Sequence, residues 1–341
     1  MKPHRSLSRC VASLLLALFW ASPTVFAADT PKPFLGNWAL TIPGGGAGWL
    51  GVAEKDGGLH ASILWGGGSV VPVDHAIVQG DRLVLTRIHV SKDKDASGQV
   101  VETRTTETIT ATVSGDALKL TTRKAGPDGK EGSPDEFSGR LIPPVPPAPD
   151  LAKVKFGGPV ALFNGRDLTG WKLTDAHAVN GWSAKDGLLV NQPVQTPGQS
   201  HKSYGNLRTE REFEDFNLTL ETRPTEGSNS GVYLRGIYEV QVIDSYGKPR
   251  DSHFMGAVYS RLTPSVSAEK PTGEWETLDI TLVDRHVTVI LNGRKIIDNQ
   301  PVLGCTGGAL WSDEFRPGPI YLQGDHAQIE YRNIVLRPVV K

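Results

Sequence analysis

The sequence has very little cysteine. Cys10 and Cys305 are the two in 341 residues, and Cys10 falls in an N-terminal leader. This excludes an intramolecular disulfide framework and any cysteine-based metal site in the exported chain. Cys305, in VLGCTGG, reads as a small buried residue rather than a reactive thiol. An excess of one charge is missing too. The formal net charge is −1 and there is no basic run, which argues against nucleic acid as a partner. No apolar run approaches the roughly 18 residues of a membrane span, and none reads as a helix of about 12 residues or more. The motifs G-x-S-x-G, H-E-x-x-H and a phosphate-cradling glycine–lysine loop are all absent. No spacing of ligands calls for a metal, and no cofactor is expected.

What is present begins with a leader. Lys2, Arg5 and Arg9 precede the apolar stretch VASLLLALFWA (Val11–Ala21), and Val25 and Ala27 supply small residues before Ala28. Residues 1–27 therefore read as a cleavable signal peptide, and the chain as periplasmic or secreted. The next landmark is PPVPPAP (Pro143–Pro149), where five of seven residues are proline. Such a run forms a semi-rigid spacer that no sheet ladder can cross. The expected organisation is a domain over 30–142, a linker over 143–154 and a domain over 155–341.

Both domains read as all-β. In the first, about eight short strands (NWALTI through EFSGRLI) alternate with GGG, DGG, QGD and SGD breaks, the pattern of an up-and-down barrel. FLGNWAL resembles the G-x-W opening of lipocalin-like barrels, and Trp38, Trp49 and Trp65 read first as core. In the second, NLTLETR, GVYLR, YEVQVID, TLDITLVD, HVTVILNG and IEYRNIVLR alternate over long stretches, which favours two packed sheets. Asn292-Gly293 between two such strands is a strong two-residue hairpin signal.

Five stretches of the second domain carry a resemblance: LFNGRDLTGW (Leu162–Trp171), NSGVYLRG (Asn229–Gly236), YEVQVIDS (Tyr238–Ser245), LNGRKI (Leu291–Ile296) and IYLQGDHAQIEYRNI (Ile320–Ile334). In this order they resemble the 3-keto-disaccharide hydrolase family, which includes 3-keto-glucoside 1,2-lyases and 3-keto-2-hydroxy-glucal hydratases. The resemblance implies a concanavalin-like β-jelly-roll whose concave face binds a 3-keto sugar. The first domain carries no such signature. With its GGG loops and tryptophans it is expected to be an accessory module that shapes or covers the active face.

The stretch GVYLRGIYEVQVIDSYG concentrates costly polar groups in a strand otherwise made for burial. Residues two apart share a face, so Glu239 and Gln241 project together while Tyr238, Val240 and Val242 enter the core. A three-residue turn over Gly236–Tyr238 sets Arg235 opposite Glu239 and Tyr233 opposite Gln241. Glu239 and Asp244, five apart, fall on opposite faces, which argues against the paired carboxylates of retaining glycoside hydrolysis. A 3-keto sugar needs less: its ketone acidifies C2–H, so one base and an enolate stabiliser suffice to expel the C1 oxygen, and water addition completes a net hydrolysis. The expected roles are Glu239 as the C2 base, Arg235 as enolate stabiliser, Gln241 on a ring hydroxyl, and Asp244 binding sugar or orienting His326. His326, tipped toward function by the family match, would pass a proton to the leaving group. Tyr233, Asn229, Tyr259, Gln323 and Asn333 complete the expected binding set, with Trp275 and Trp311 as further stacking candidates. The alternative is a non-catalytic carbohydrate-binding protein using the same face. An Arg–Glu pair favours the enzyme, because lectin sites more often use neutral amides and aromatics.

Overall fold

The computed structural model describes residues 30–94, 97–196, 198–200 and 202–340, so the expected signal peptide lies outside the described residues. The chain is almost all β, its one helical turn being a 3-10 segment at Lys32–Phe34 among the described residues.

Nine strands form the first sheet: β1 (Gly36–Thr41), β2 (Ala47–Lys55), β3 (Gly58–Trp65), β4 (Val71–Pro72), β5 (His75–Gln79), β6 (Arg82–Lys94), β7 (Val100–Ser114), β8 (Ala117–Ala125) and β9 (Asp135–Ile142). Their order, β4-β3-β2-β1-β9-β8-β7-β6-β5, is an up-and-down meander joined through the β1–β9 pairing. It is a barrel-like sheet left open between β4 and β5. The expected strand VVPVDHAIV divides in two at Val73–Asp74, where Asp74 turns its carboxylate to the Ile88 amide. Leu40, Leu50, Ile63, Leu83, Leu85 and Ile109 fill the interior, each contributing about 2 kcal/mol by burial. Near them Glu107 is fully buried, bound by Arg87 at 2.7 Å, His89 at 3.0 Å and Thr122 at 2.9 Å. Burial raises its pKa, but the hydrogen bonds of His89 and Thr122 and the charge of Arg87 outweigh it, so the carboxyl lies below its usual range. A group of this kind stabilises above its unfolded pKa and loses that contribution as pH falls through the folded one. Glu107→Gln is therefore expected to lower barrel stability by about 2–4 kcal/mol at pH 7 and to flatten the acid side of the stability–pH curve, as read by urea denaturation.

The second part is a two-sheet sandwich. Its strands are β10 (Val160–Ala161), β11 (Trp171–Leu173), β12 (Trp182–Lys185), β13 (Leu188–Asn191), β14 (Leu207–Thr209), β15 (Phe216–Pro224), β16 (Asn229–Leu234), β17 (Tyr238–Ile243), β18 (Glu276–Val283), β19 (His286–Leu291), β20 (Arg294–Pro301), β21 (Tyr321–Leu322) and β22 (Ile329–Pro338). One sheet runs β12-β13-β22-β15-β18-β19-β20 with β10 beside β22, and the other runs β11-β14-β21-β16-β17. This is a jelly-roll-type β-sandwich. Leu218, Leu220, Val232, Val240, Val242, Ile280, Val289 and Leu322 lie between the sheets. Asn292 and Gly293 both have positive φ (51° and 77°) and close the expected two-residue hairpin, with Leu291 opposite Arg294.

The linker does not hang free. Arg285 donates to the carbonyls of Pro143 (3.0 Å) and Pro144 (2.7 Å), and Asn299 donates to that of Pro149 (2.9 Å). Ala47, Trp49, Leu64 and Ile142 of the barrel pack into the same apolar cluster as the sandwich core.

Candidate active site

The outer face of the five-stranded sheet carries the polar residues. Tyr321 pairs with Tyr233, which pairs with Glu239; in the next row Gln323 hydrogen-bonds Gly231, which pairs with Gln241. On the far side Arg208 pairs with Tyr321 and Lys172 with Arg208. One cross-strand row thus reads Lys172, Arg208, Tyr321, Tyr233, Glu239. Alternation puts Leu207, Leu322, Val232 and Val240 on the buried face and leaves this row on the other.

The turn after β16 is placed one residue earlier than the sequence suggested. Leu234 pairs with Tyr238, and the turn is Arg235–Gly236–Ile237, with Arg235 at φ 55° and Gly236 at φ 70°. Tyr233, not Arg235, therefore stands opposite Glu239, and Gly231 opposite Gln241. The need for a glycine there is direct: a Cβ on Gly231 would lie 2.1 Å from Glu239 Oε1, because the carboxyl folds over it.

Glu239 is 3% exposed. Burial pushes its carboxyl up to about 8, against a smaller lowering by the Tyr233 hydroxyl beside it. Tyr233 and Tyr321 stack with ring centroids 3.8 Å apart. Their hydroxyls donate to the carbonyls of Gly307 and Gly308, each at 2.7 Å, and burial raises both pKa values well above the ordinary range. These phenols stay protonated at any working pH. Gln241 donates to Asn229 Oδ1 at 2.9 Å, while its own Oε1 and that of Gln323 are buried without a hydrogen-bond partner. Two unsatisfied amide oxygens on either side of β16, one on β17 and one just past β21, are costly unless a ligand or water serves them. Tyr259 donates its backbone N–H to the Glu239 carbonyl at 3.0 Å, which extends the face beyond β17.

Other expected residues are elsewhere. Arg235 is buried, and its guanidinium is spent on the carbonyls of Glu314 and Arg316. It braces the segment 314–316 and is not set across from Glu239. Asp244 commits one carboxyl oxygen to the Gly227 N–H (3.0 Å) and the other to the Thr272 hydroxyl (2.6 Å), so it fastens loops rather than orienting His326. His326 is exposed on the loop after β21. Asn333 lies on the eight-stranded sheet, where the β15–β22 register shifts; it has φ 52° and donates to Glu221 at 2.6 Å. It is not on the rim of the five-stranded face. Trp275 sits between Arg332 (3.9 Å) and Arg223 (5.0 Å), two residues of the eight-stranded sheet. Arg208 was not legible in the sequence, and its partner is Glu212 at 3.0 Å. The signal that finds it is long-range register, which GNLRTE alone does not contain.

A recess of about 720 Å³ opens away from this row, between the barrel and the segment 312–315. The Glu239–Tyr233–Tyr321 end of the row is roofed by Thr306, Gly307 and Gly308, while Lys172 at the other end is exposed.

The site is thus one sheet face of a jelly-roll sandwich that carries a buried carboxyl among phenols and amides. A family model described as a 3-keto-alpha-glucoside-1,2-lyase-like domain matches residues 158–337, more than half of the chain, and the chain belongs to that family. The 3-keto-disaccharide hydrolase of Bacteroides thetaiotaomicron is 23% identical over 168 residues, which cover 41% of this chain and 58% of that protein. The chain thus spans less than two thirds of the length of this curated relative. Among solved structures, one candidate glycosyl hydrolase from Parabacteroides distasonis is 28% identical, with 58% of this chain and 94% of that chain covered and a TM-score of 0.42. A second from the same organism is 22% identical, with 54% and 94% covered and a TM-score of 0.41. No helix among the described residues is long and apolar enough to cross a membrane.

Proposed function

We propose that the protein is an exported enzyme that cleaves 3-keto-glycosides by proton abstraction at C2 and elimination of the C1 oxygen, with rehydration giving net hydrolysis. The observation that carries this reading is Glu239: a single carboxyl, buried beside a phenol and raised to about 8. A desolvated carboxylate is a stronger base than an exposed one, and a pKa near the working pH suits general-base catalysis. Tyr233, held protonated, turns its one O–H from the Gly307 carbonyl to the enolate oxygen as charge develops, the role first expected of Arg235. Arg208, paired with Glu212, lies further along the same row. Gln241 and Gln323 offer their unpaired amide oxygens to sugar hydroxyls. Asp244, engaged with Gly227 and Thr272, is not available as the second carboxylate of a retaining glycosidase.

The test is direct. Purified protein is incubated with a 3-keto-disaccharide and, separately, with the unoxidised disaccharide. Sugar release is expected only from the keto substrate, and equal cleavage of both would remove the reading. Because the base must be ionised, kcat/KM is expected to rise about tenfold per pH unit below 8 and level off above it, the direction set by the raised Glu239 pKa. A profile flat from pH 6 to 9 would exclude Glu239 as the titrating base.

A further inference from the structure

We infer that the barrel loop Gly66–Val70, backed by Trp49, is a positioning element for the Glu239 site: it clamps both segments that hold the Glu239 backbone. The inference deepens the reading of Glu239 as the base and concerns what keeps that carboxyl in place.

Two segments flank Glu239. On one side, Thr306 Oγ1 accepts the Glu239 N–H at 2.9 Å and donates to the Ile237 carbonyl at 3.1 Å, while Gly307 and Gly308 accept the two tyrosine hydroxyls. On the other side, Tyr259 N–H donates to the Glu239 carbonyl. Neither segment is anchored by the sandwich alone, and successive residues of one barrel loop reach both. Gly66 accepts from Gly308 N–H at 3.3 Å, and Gly68 lies so near Gly307 that a Cβ there would come within 2.1 Å of the Gly68 carbonyl oxygen. The next two residues cross to the other segment. Ser69 Oγ hydrogen-bonds His253 Nε2 at 2.8 Å, and Val70 N–H donates to Ser260 Oγ at 2.9 Å. His253, braced by Asp251 at 2.6 Å, sets its ring edge-on to Tyr259 at 4.9 Å.

Trp49 closes the same junction from behind. Its indole lies against Gly304, where a Cβ would meet it at 2.1 Å, and Arg261 stacks on it at 4.2 Å while donating to the Cys305 carbonyl at 2.6 Å. The run GGGSV thus has a use for its glycines. A side chain at Gly307 has no room against the Gly68 backbone, while Gly66 and Gly68 hold positive φ (79° and 75°) that a glycine adopts without strain.

The consequence concerns water. The roof keeps Glu239 dry, and the titratable groups that act on it are Tyr233, Tyr321 and, from β22, Tyr331, all held protonated by burial; His253 and Asp251 stand beyond Tyr259. Loosening the clamp admits water, favours the carboxylate and lowers its titration midpoint.

The experiment uses the full chain labelled with carboxyl-¹³C glutamate, the Glu239 resonance being identified by its loss in Glu239→Gln. Gly307→Ala wedges the two backbones apart, and Trp49→Ala removes the packing behind them. In each variant the Glu239 midpoint is expected to fall by about one pH unit or more, with a cooperative melt retained. Should either fail to fold, Ser69→Ala removes one pin and is expected to move the midpoint the same way. A wild-type midpoint in every folded variant overturns the clamp. The readout is the carboxyl itself, so the two readings fail separately. An active Glu239→Gln would remove the base and leave the clamp standing, whereas an unmoved midpoint with an inactive Glu239→Gln removes the clamp alone.

Discussion

Glu239→Gln is expected to lower kcat on a 3-keto-disaccharide by roughly 10²–10⁴-fold with little change in KM. Glutamine keeps the shape and one hydrogen-bonding oxygen, so ground-state contacts survive, but it cannot take the C2 proton. Solvent deuterium exchange into C2 of the bound keto sugar should vanish with it, and a variant with wild-type kcat would leave His326 as the next candidate. Stability gives an independent reading. The carboxyl titrates near 8 in the folded chain against an ordinary 4.5. Between those values the folded protein holds a proton that the unfolded chain has released, so stability falls as pH rises through the window. Glu239→Gln removes that dependence. The variant is expected to be more stable than the native protein at pH 9, by up to a few kcal/mol, and to differ little at pH 4.5. Thermal melts at the two pH values check it.

The second large effect lies at the linker. Arg285 Nη1 meets Glu314 at 2.9 Å with both side chains almost fully buried, and its other nitrogen holds the Pro143 and Pro144 carbonyls. Burial outweighs Arg285 and leaves the Glu314 carboxyl above its usual range, and its Oε1 has no hydrogen-bond partner. Arg285→Met is expected to cost about 3–5 kcal/mol, because it strands a buried charge rather than merely deleting an attraction. Adding Glu314→Gln should restore part of the loss, since no charge then remains to be paired. Urea denaturation of the two single variants and the double variant measures this, and a fully additive cycle would show that the pair is not coupled.

The contrast between Glu239 and Arg235 shows what the sequence makes legible. Period-two alternation places Glu239 and Gln241 on one face and Val240 and Val242 on the other, and the structure agrees because a strand buried between sheets cannot tolerate the reverse. Turn register is a weaker signal. The chain bends at Arg235, a non-glycine at positive φ, one residue before the glycine that marks the turn in the sequence. That single step exchanges Arg235 for Tyr233 as the neighbour of Glu239. Arg208 lies further out of reach, since its place depends on β14 pairing with β21 across more than a hundred residues of chain. Asn333 was misplaced for the opposite reason. It sits in a stretch that carries the resemblance, but β22 belongs to the other sheet, and a local match does not say which sheet a strand joins.

The solitary thiol at the junction makes the barrel–sandwich contact measurable in time. Cys305 is 1% exposed, raised to about 12 by burial, and its sulfur rests 3.8 Å from the Gly48 carbonyl. A thiol reagent cannot reach it until the barrel swings away, so in a Cys10→Ser background the labelling rate equals the intrinsic thiol rate multiplied by the open fraction. The ratio of the two rates converts to an opening free energy in native buffer. Every contact from Trp49 to Val70 can thus be weighed by a stopwatch on one sulfur, without unfolding the protein.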